Sequence, residues 1–397
     1  VDATLKDVQY ADQLRVSADI PAAVDVDAMR VAFRQAHVGV NQFEVAIDGW
    51  AQAGETIDMD IKLGLQEWKI SDVLALVPPC FLSSLDGISA DGILSLDVQA
   101  QGVYSDTLLP VVDAHVVLKD GMGKYAELPY TIEPLNLDAD LHLDMQNKTQ
   151  TEVKINNFFA HTRASSIQGK GIVKDPLGKL WMDVKTEMDV KIADVEDFLP
   201  KDMLVAGQVK GKVQMQMYLE DLLAMQLEKG RVQGDLLLNS VQYEADSLYA
   251  QLPANRLTFQ IPNVQPTRKE VNWLSGTLSL ANAEVKMGET MQAELGKTNL
   301  EMEISNILTQ DPRLYATISL DSKEYIHAQM DSMDITINKP TVALNAIYNM
   351  KDTLEMPTVD AQVAFERVYG YYSDIKVDVA QSSLKAGLHA PQLTASV

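Results

Sequence analysis

The sequence is poor in cysteine, in aromatic residues and in positive charge. Its 397 residues include a single cysteine, Cys80, which excludes an internal disulfide framework and a cysteine-based zinc cluster. Lys and Arg number 33 against 56 Asp and Glu, which gives a formal net charge of −23. Because proteins bind the nucleic-acid backbone through an excess of positive charge, this balance argues against a nucleic-acid partner.

Long hydrophobic runs are also absent. No stretch of about eighteen apolar residues occurs, and no signal-peptide pattern opens the chain. Because the first residue is Val1 rather than Met, we expect a fragment of a longer membrane-anchored protein whose anchor and targeting segment have been removed. A length above roughly 250–300 residues predicts two domains or a structure built from repeated units.

What dominates instead is alternation of apolar and polar residues. From Leu135 to Met145 every odd position is apolar and every even position is polar, and similar runs begin at Leu94 and Val209. Since successive side chains of a strand point to opposite faces, the pattern predicts strands with one apolar and one solvated face. The longest run, about eleven residues or roughly 36 Å, exceeds a common strand.

Turn signals separate the runs. Five dipeptides suit positive φ or tight-turn geometry, and we expect a turn at each: Asp48-Gly49, Asp86-Gly87, Asp91-Gly92, Asp120-Gly121 and Asp175-Pro176. We also expect a hairpin turn at Gly121-Met122-Gly123 and a loop at residues 262–270. The resulting sheet should be mainly antiparallel with consecutive strands.

An internal repeat supports a modular structure. The segment Ile70-Ser71-Asp72-Val73, followed by Leu76-Val77-Pro78, recurs 122 residues later as Ile192-Ala193-Asp194-Val195, followed by Phe198-Leu199-Pro200. Each copy predicts a short connector helix with Asp72 or Asp194 as its N-cap. We therefore expect repeated units over residues 1–262, with copies near 40–144 and 165–262, and a continuation of the same structure over 263–397.

The sequence shows no recognisable set of catalytic residues. The six histidines show no HExxH pattern, and His115 and His142 fall at solvated strand positions. No nucleophile is accompanied by a base and an orienting group, and no calcium-binding loop occurs. The sequence therefore predicts a protein that is not an enzyme, with no metal and no cofactor.

The apolar positions form the candidate site. They are aliphatic and flexible, with 17 methionines and only 6% aromatic residues. Such a face either fills an irregular core or stays open to hold hydrocarbon chains. Our candidate lipid-groove residues are Leu94, Leu96, Val98, Leu135, Leu137, Leu141, Leu143, Val184, Met188, Val190, Val213, Met215 and Met217.

The order of these features resembles the AsmA-like family. The resemblance is carried by "IQGKGIVKDPLGKLWMDVKTEMDVKIADVEDFLPKDMLVAGQVKGKVQMQM" at 167–217, with "GISADGILSLDVQAQG" upstream, and is clearest over roughly residues 40–260. It implies a periplasmic protein of Gram-negative bacteria, anchored in the inner membrane, with a groove similar to that of bridge-like lipid transfer proteins. It also implies transport of phospholipid towards the outer membrane, in support of outer-membrane biogenesis.

We therefore predict an all-β fold: a long, curved, mainly antiparallel sheet forming an elongated, open, taco-like groove with short connector helices. The expected partners are phospholipids or other acyl lipids, the inner membrane through an anchor absent from this chain, and an outer-membrane partner. Two alternatives stay open. One is a structural or ligand-binding β-sandwich protein of the envelope, and the other is an outer-membrane β-barrel, which should show aromatic girdles.

Overall fold

The fold was analysed in a computed structural model of the chain. The structure describes residues 3–5, 8–11, 15–40, 43–74, 88–125, 131–176, 178–196, 203–224, 226, 229–245, 247–261, 273–288, 290–305, 313–349, 356–389 and 392–396. The predicted loop at 262–270 and the predicted turn at Asp86-Gly87 lie outside these residues. The chain divides into two units, the first comprising Val1–Lys185 and Tyr218–Glu220, the second Thr186–Met217 and Asp221–Val397.

Strands make up most of the described chain, which confirms the all-β prediction. The strands are β1 Ala3–Leu5, β2 Val8–Ala11, β3 Val16–Asp19, β4 Ala22–Asp25, β5 Arg30–Val40, β6 Phe43–Ala53, β7 Ile57–Lys69, β8 Ile88–Tyr104, β9 Val111–Tyr125, β10 Ile132–Leu143, β11 Glu152–His161, β12 Ser166–Lys174, β13 Trp181–Lys191 and β14 Met203–Tyr218. They continue with β15 Arg231–Ala245, β16 Leu248–Ile261, β17 Trp273–Leu280, β18 Ala283–Met287, β19 Met291–Leu295, β20 Thr298–Ser305, β21 Arg313–Ser322, β22 Tyr325–Met330, β23 Met333–Asn338, β24 Thr341–Asn349, β25 Thr358–Tyr372, β26 Ile375–His389 and β27 Gln392–Ser396.

The helices that the structure describes are short. Two α-helices of five residues each, α1 Ile70–Leu74 and α2 Leu219–Leu223, accompany 3-10 turns at Lys148–Gln150 and Ile192–Asp194. None of these helices has the length and apolar character needed to cross a membrane. Short helices between long strands agree with the predicted fold class.

Unit 1 is an antiparallel meander. Strands β3 and β4 both pair with β5, and from there each strand pairs with the next in sequence as far as β12. Strands β1 and β2 form a separate two-stranded sheet. Because consecutive antiparallel strands need only short connections, this order follows from the closely spaced runs of the sequence.

Unit 2 follows the same antiparallel rule, but its sheet splits into two tracks. The first track runs from β16 through β17, β20, β21 and β24 to β25. The second track runs from β16 through β18, β19, β22 and β23 to β25. The chain alternates between the tracks, so that each long strand is interrupted once, for example between β17 and β18.

The interruptions lie side by side along a seam between the tracks. It consists of residues 281–282, 296–297, 323–324 and 339–340. Beside the seam, Thr298 and Ser322 are buried, and the Thr298 hydroxyl donates to Ser322 Oγ at 3.0 Å. The backbone N–H of Lys323 donates to the carbonyl oxygen of Lys297 at 2.8 Å. These bonds satisfy polar groups that the interrupted ladder would otherwise leave unpaired.

Most of the predicted Asp-Gly turns are wrong. Asp48-Gly49 lies within β6, Asp91-Gly92 within β8 and Asp120-Gly121 within β9, which also contains the predicted hairpin glycines up to Gly123. The ladder shifts register at Gly92, and Asp120 has φ 49°. Positive φ serves a β-bulge as well as a turn, so these pairs kink long strands instead of ending them. Asp175-Pro176 does follow the end of β12.

Because the bulges let strands continue, the strands are longer than the alternation indicates. Strand β8 has 17 residues, about 56 Å at the usual rise, where an uninterrupted run of about eleven was the longest expected. The additional residue at each bulge shifts the alternation by one position, and a sequence pattern read in strict steps of two breaks there.

Backbone N–H groups at several bulges bond to side chains on the neighbouring strand. The N–H groups of Gln35, Glu67 and Asp120, each in a residue with φ between 49° and 57°, are the donors in unit 1. Their acceptors are Asp48 Oδ1, Ser95 Oγ and Asn136 Oδ1 at 2.7, 3.2 and 2.8 Å. In unit 2 the N–H of Ala281, which is part of the seam, donates to Asn255 Oδ1 at 2.9 Å.

The helix predicted in each repeat copy is present, but its capping is not as expected. Asp72 lies within the first turn of α1, and Asp194 is the last residue of the 3-10 turn at 192–194. The residue at the N-cap of that turn is Lys191, and no side chain caps it. A carboxylate in the first turn of a helix still interacts favourably with the exposed N–H groups at its N-terminus, even when it is not the N-cap. This accounts for an aspartate at the same place in both repeat copies.

Candidate functional site

One face of the unit 1 sheet carries a continuous aliphatic row. Directly paired positions on seven consecutive strands are apolar: Ile47, Leu63, Val98, Ala114, Leu141, Val153 and Val173. A second row runs beside it: Leu65, Leu96, Val116, Ala139 and Ile155. At about 4.8 Å per strand the first row is roughly 29 Å long. We call the surface formed by these rows the apolar face of unit 1.

The predicted residues of β8 and β10 come together on this face. Leu94 and Leu137 are both paired with Leu118 of β9, and Leu143 is paired with Val112. Leu135 lies beyond the bulge of β9 and is paired with Ala160 of β11. All seven predicted positions of these two strands therefore share one surface, since residues two apart in a strand point the same way.

The predicted residues of β13 and β14 are divided between the units. Val184 belongs to unit 1, where its side chain lies beside Gly171 of β12. Met188 and Val190 belong to unit 2 and flank Asp189 in β13, so they point away from its carboxylate.

In β14, Val213 and Met215 are paired with Gly234 and Val232 of β15. Met217 follows two residues later on the same side of the strand.

The exposure of these side chains is what distinguishes the face from a protein core. Of the thirteen predicted residues, Met217 is buried, with 2% of its surface exposed, and the other twelve are half-buried. Core aliphatic residues are commonly fully buried. In the described residues the buried apolar set is small: Ala36, Ala139, Met182, Ile192, Met217, Val232, Val241 and Ala283. The described side chains of the apolar face are therefore less buried than those of a fully sealed core.

Unit 2 carries a longer aliphatic row that was not predicted from the sequence. Paired positions on eight strands carry only leucine and valine: Leu236, Leu257, Leu278, Leu300, Leu320, Val342, Val363 and Leu384. Most of these side chains are half-buried as well, and Leu384 is exposed. The alternation that predicted the strands would have identified each member, but their alignment into one row depends on register between strands far apart in sequence.

Two phenylalanines cover glycines on the neighbouring strands. Phe158 is paired with Gly169 in unit 1, and Phe259 is paired with Gly234 in unit 2. A Cβ added at Gly169 would lie 2.8 Å from Cε1 of Phe158. An aromatic ring packed over a strand glycine shields the backbone there and compensates for the missing side chain.

The opposite face of the unit 1 sheet is polar and internally bonded. His115 Nδ1 lies 2.8 Å from Asp140 Oδ1, and His142 Nδ1 lies 2.7 Å from Asp113 Oδ1. The Asn156 side chain donates to Asp140 Oδ2 at 2.7 Å. The two histidines and their aspartate partners line a depression of about 860 Å³ on this face. Because its charged groups satisfy one another and are partly exposed, we interpret it as a solvated surface.

Hydrogen bonds on the polar faces lower the pKa values of several carboxyl groups. The Asn156 amide, and then the His115 imidazole, hold the pKa of Asp140 below its ordinary value. In unit 2 the Gln208 amide and Lys210 do the same for the pKa of Asp189. These carboxylates are stabilised in their charged form, which suits structural cross-strand bonding.

The described residues contain no group of three or more His, Cys, Asp or Glu side chains arranged to hold a metal ion. The arrangement of the site thus rests on its two faces, one aliphatic and mostly half-buried, the other polar and bonded. The fold defines a class of long-stranded antiparallel β-sheet proteins. Comparison with known proteins finds no match: no family model fits the sequence, and no curated protein or solved structure is significantly similar to it.

Proposed function

We propose that this protein is a non-enzymatic lipid-binding and transfer protein whose apolar face holds phospholipid acyl chains. The observation that carries the proposal is the pair of aliphatic rows on β6–β12, whose members other than the buried Ala139 are half-buried. Head groups would stay in water at the margin of the face, where no desolvation is required of them.

The energetics favour hydrocarbon as the occupant. Removing one CH₂ group from water contributes about 0.8 kcal/mol, so an acyl chain lying along the rows gains several kcal/mol even when it is only partly shielded. The same contact removes apolar protein surface from water. Aliphatic and methionine side chains adapt to flexible chains, and they offer no hydrogen-bonding group that would select a rigid polar ligand.

The alternative of a closed β-sandwich makes a different demand on the same residues. Two packed sheets bury their inner faces at the density of a protein core, which would leave positions such as Leu96 and Leu141 almost without exposed surface. Both are half-buried. Their exposure therefore favours an open face over a sealed one.

The cellular setting is the second part of the proposal. From the resemblance to the AsmA-like family we infer a periplasmic location, an inner-membrane anchor outside this chain, an outer-membrane partner, and movement of phospholipid between the two membranes. The net charge of −23 would repel anionic head groups at the rim of the face, but a rim that faces solvent is screened by salt over about 8 Å, which weakens that repulsion.

The experiment compares two adjacent positions on opposite faces of β14. Met215→Lys places a charge on the apolar side of β14 in unit 2, beside Val213, whereas Gln214→Lys places the same charge on the polar side, where Gln214 accepts from Gln233 at 3.0 Å. Each protein is purified from cells, its lipid is extracted and identified by mass spectrometry, and transfer of labelled phospholipid between vesicles is measured beside a thermal melt.

We expect the unmodified protein and Gln214→Lys to carry and transfer phospholipid. Met215→Lys should still fold, but its transfer rate should be at least tenfold lower. Burial of an unpaired lysine in a sealed core would instead abolish folding. Lipid-free wild-type protein that transfers nothing, or equal transfer by the two variants, would overturn the proposal.

A further inference from the structure

A row of exposed apolar side chains crosses the hairpin ends of unit 2. Its members are directly paired across seven strands, and we call them the methionine row: Leu248, Met287, Met291, Met330, Met333, Tyr372 and Ile375. Each lies next to a turn, at the first or last position of its strand. The row therefore lies at the hairpin end of the second track and at the same end of β16, β25 and β26.

The turns beyond the row are aligned by backbone hydrogen bonds. In each case an N–H group of one turn donates to a carbonyl oxygen of the turn beside it: Gly288 to Ser247 at 2.7 Å, Asp331 to Thr290 at 3.2 Å, and Ser373 to Ser332 at 2.6 Å. Because neighbouring turns are tied together, the hairpin ends are held level and the seven side chains form one continuous row.

The row is unusually open for an apolar surface. Six of its seven side chains have between 38% and 65% of their surface exposed, and Met333 is half-buried. Contiguous exposed apolar surface of this kind marks interaction sites more often than it occurs by accident. Four of the seven residues are methionines, which adapt their shape to differing partners.

Negative charge accompanies the row. Asp331 and Asp374, in two of the turns beyond the row, are acidic and exposed. Lysines of the same strands, Lys286 and Lys376, are adjacent in sequence to members of the row and so point to the opposite face.

We infer that the methionine row binds a basic amphipathic helix of a partner protein. At about 4.8 Å per strand the row is roughly 29 Å long, which matches a helix of about 19 residues at 1.5 Å each. Leucine-type residues at helical spacing would contact the methionines, and lysine or arginine residues would face the carboxylates of the turns. The inference does not depend on the proposed lipid-binding function, because the row lies at the hairpin ends of unit 2 and the apolar face of unit 1 is a different surface.

Two other occupants fit the same surface less well. If the row bound a bilayer, the carboxylates of the turns would contact the membrane surface first. The anionic head groups of a membrane would repel these carboxylates. A second copy of this chain also carries a net charge of −23, which opposes self-association. A cationic, apolar segment satisfies both properties of the row at once.

The test uses the whole chain and synthetic 19-residue peptides of leucine and lysine, with leucine at positions i, i+3, i+4 and i+7. Two control peptides carry the same residues in scrambled order, or glutamate in place of lysine. The Met291→Gln/Met330→Gln protein removes apolar character from the row, and Met356→Gln alters an exposed methionine outside it. Binding is measured by calorimetry, with vesicle flotation and sedimentation velocity alongside.

We expect the amphipathic lysine peptide to bind with micromolar affinity, the double variant to bind it at least tenfold more weakly, and Met356→Gln to bind it normally. Asp331→Asn/Asp374→Asn should weaken binding several-fold and reduce its salt dependence, and neither control peptide should bind. Equal binding by the double variant or by the scrambled peptide would overturn the inference. So would methionine-dependent flotation with neutral or anionic vesicles, or methionine-dependent dimerisation, in the absence of peptide binding.

Discussion

Asn136 of β10 accepts the backbone N–H of Asp120 of β9 through its side-chain Oδ1 at 2.8 Å, and Asp120 has a φ of 49°. The bulge in β9 thus takes its hydrogen-bond partner from a side chain on the adjacent strand. The same arrangement joins Gln35 to Asp48 in another pair of strands. The backbone N–H at the bulge has no partner in the strand ladder, and the side-chain acceptor satisfies it, so the strand can continue through the bulge.

Replacing the acceptor should destabilise unit 1. Asn136→Ala leaves the N–H of Asp120 without its side-chain partner, and we expect a loss of about 1 kcal/mol in the free energy of unfolding. Asn299→Ala, at an exposed strand position, serves as the control and should change the free energy by less than about 0.5 kcal/mol. Urea denaturation of both variants measures the difference, and equal midpoints would contradict this account of the bulge.

Replacing Gly169 should destabilise the fold, whereas replacing Gly123 should not. A Cβ at Gly169 would meet Phe158 and the carbonyl oxygen of Lys185, while one at Gly123 would meet nothing within 4 Å. We expect Gly169→Ala to lower the free energy of unfolding by about 1–3 kcal/mol through overpacking, and Gly123→Ala to leave it almost unchanged. Thermal or urea melts of the two variants would decide, and a stable Gly169→Ala protein would rule out the close approach.

Acid stability should depend on Asp140. Its pKa is lowered in the folded state by Asn156 and then by His115, so its contribution to stability is present above the pKa of an unfolded aspartate, about 3.9, and is lost as the pH falls through the lower folded value. Asp140→Asn should therefore reduce stability at neutral pH and flatten its decline below about pH 4.

The measurement for Asp140 is the urea midpoint as a function of pH between about 2 and 7. Asp106→Asn, at an exposed position, is the matched control and should follow the wild-type curve. A parallel decline in all three proteins would mean that the Asp140 bonds do not contribute.

The seam of unit 2 should behave as one coupled unit. Thr298→Val removes a buried hydroxyl that lies within hydrogen-bonding distance of Gly296 O (3.1 Å) and Ser322 Oγ (3.0 Å), and should cost about 1–3 kcal/mol. Because Ser322 is a shared partner, the double variant with Ser322→Ala should lose less than the sum of the single losses. Thr341→Val, at an exposed position, should be nearly neutral. Strictly additive losses would contradict the coupling.

The sequence predicted which side of each strand a residue takes, and the structure agrees for runs such as Leu135 to Leu143. Side-chain direction alternates within a single strand, so the prediction needs no knowledge of neighbours. The Asp-Gly pairs were misinterpreted for the opposite reason. Positive φ is compatible with both a turn and a bulge, and only the pairing of the flanking strands separates the two.

The candidate site was found in part. The predicted residues of β8 and β10 lie on one face, whereas the Leu236-to-Leu384 row and the methionine row were not predicted. Those rows are made by register, which joins positions as distant in sequence as Leu248 and Met287. Period-two alternation predicts that a residue lies on the apolar face of its strand. It does not predict which residue of another strand lies beside it.

The amino-acid sequence alone determined that this chain forms antiparallel strands with one aliphatic and one polar face, because both properties are local. Only the tertiary structure decided how the strands are aligned and that the aliphatic positions stay half-buried. An open face and a sealed core have the same alternating pattern, and they differ only in whether a second layer of protein lies against the apolar side chains.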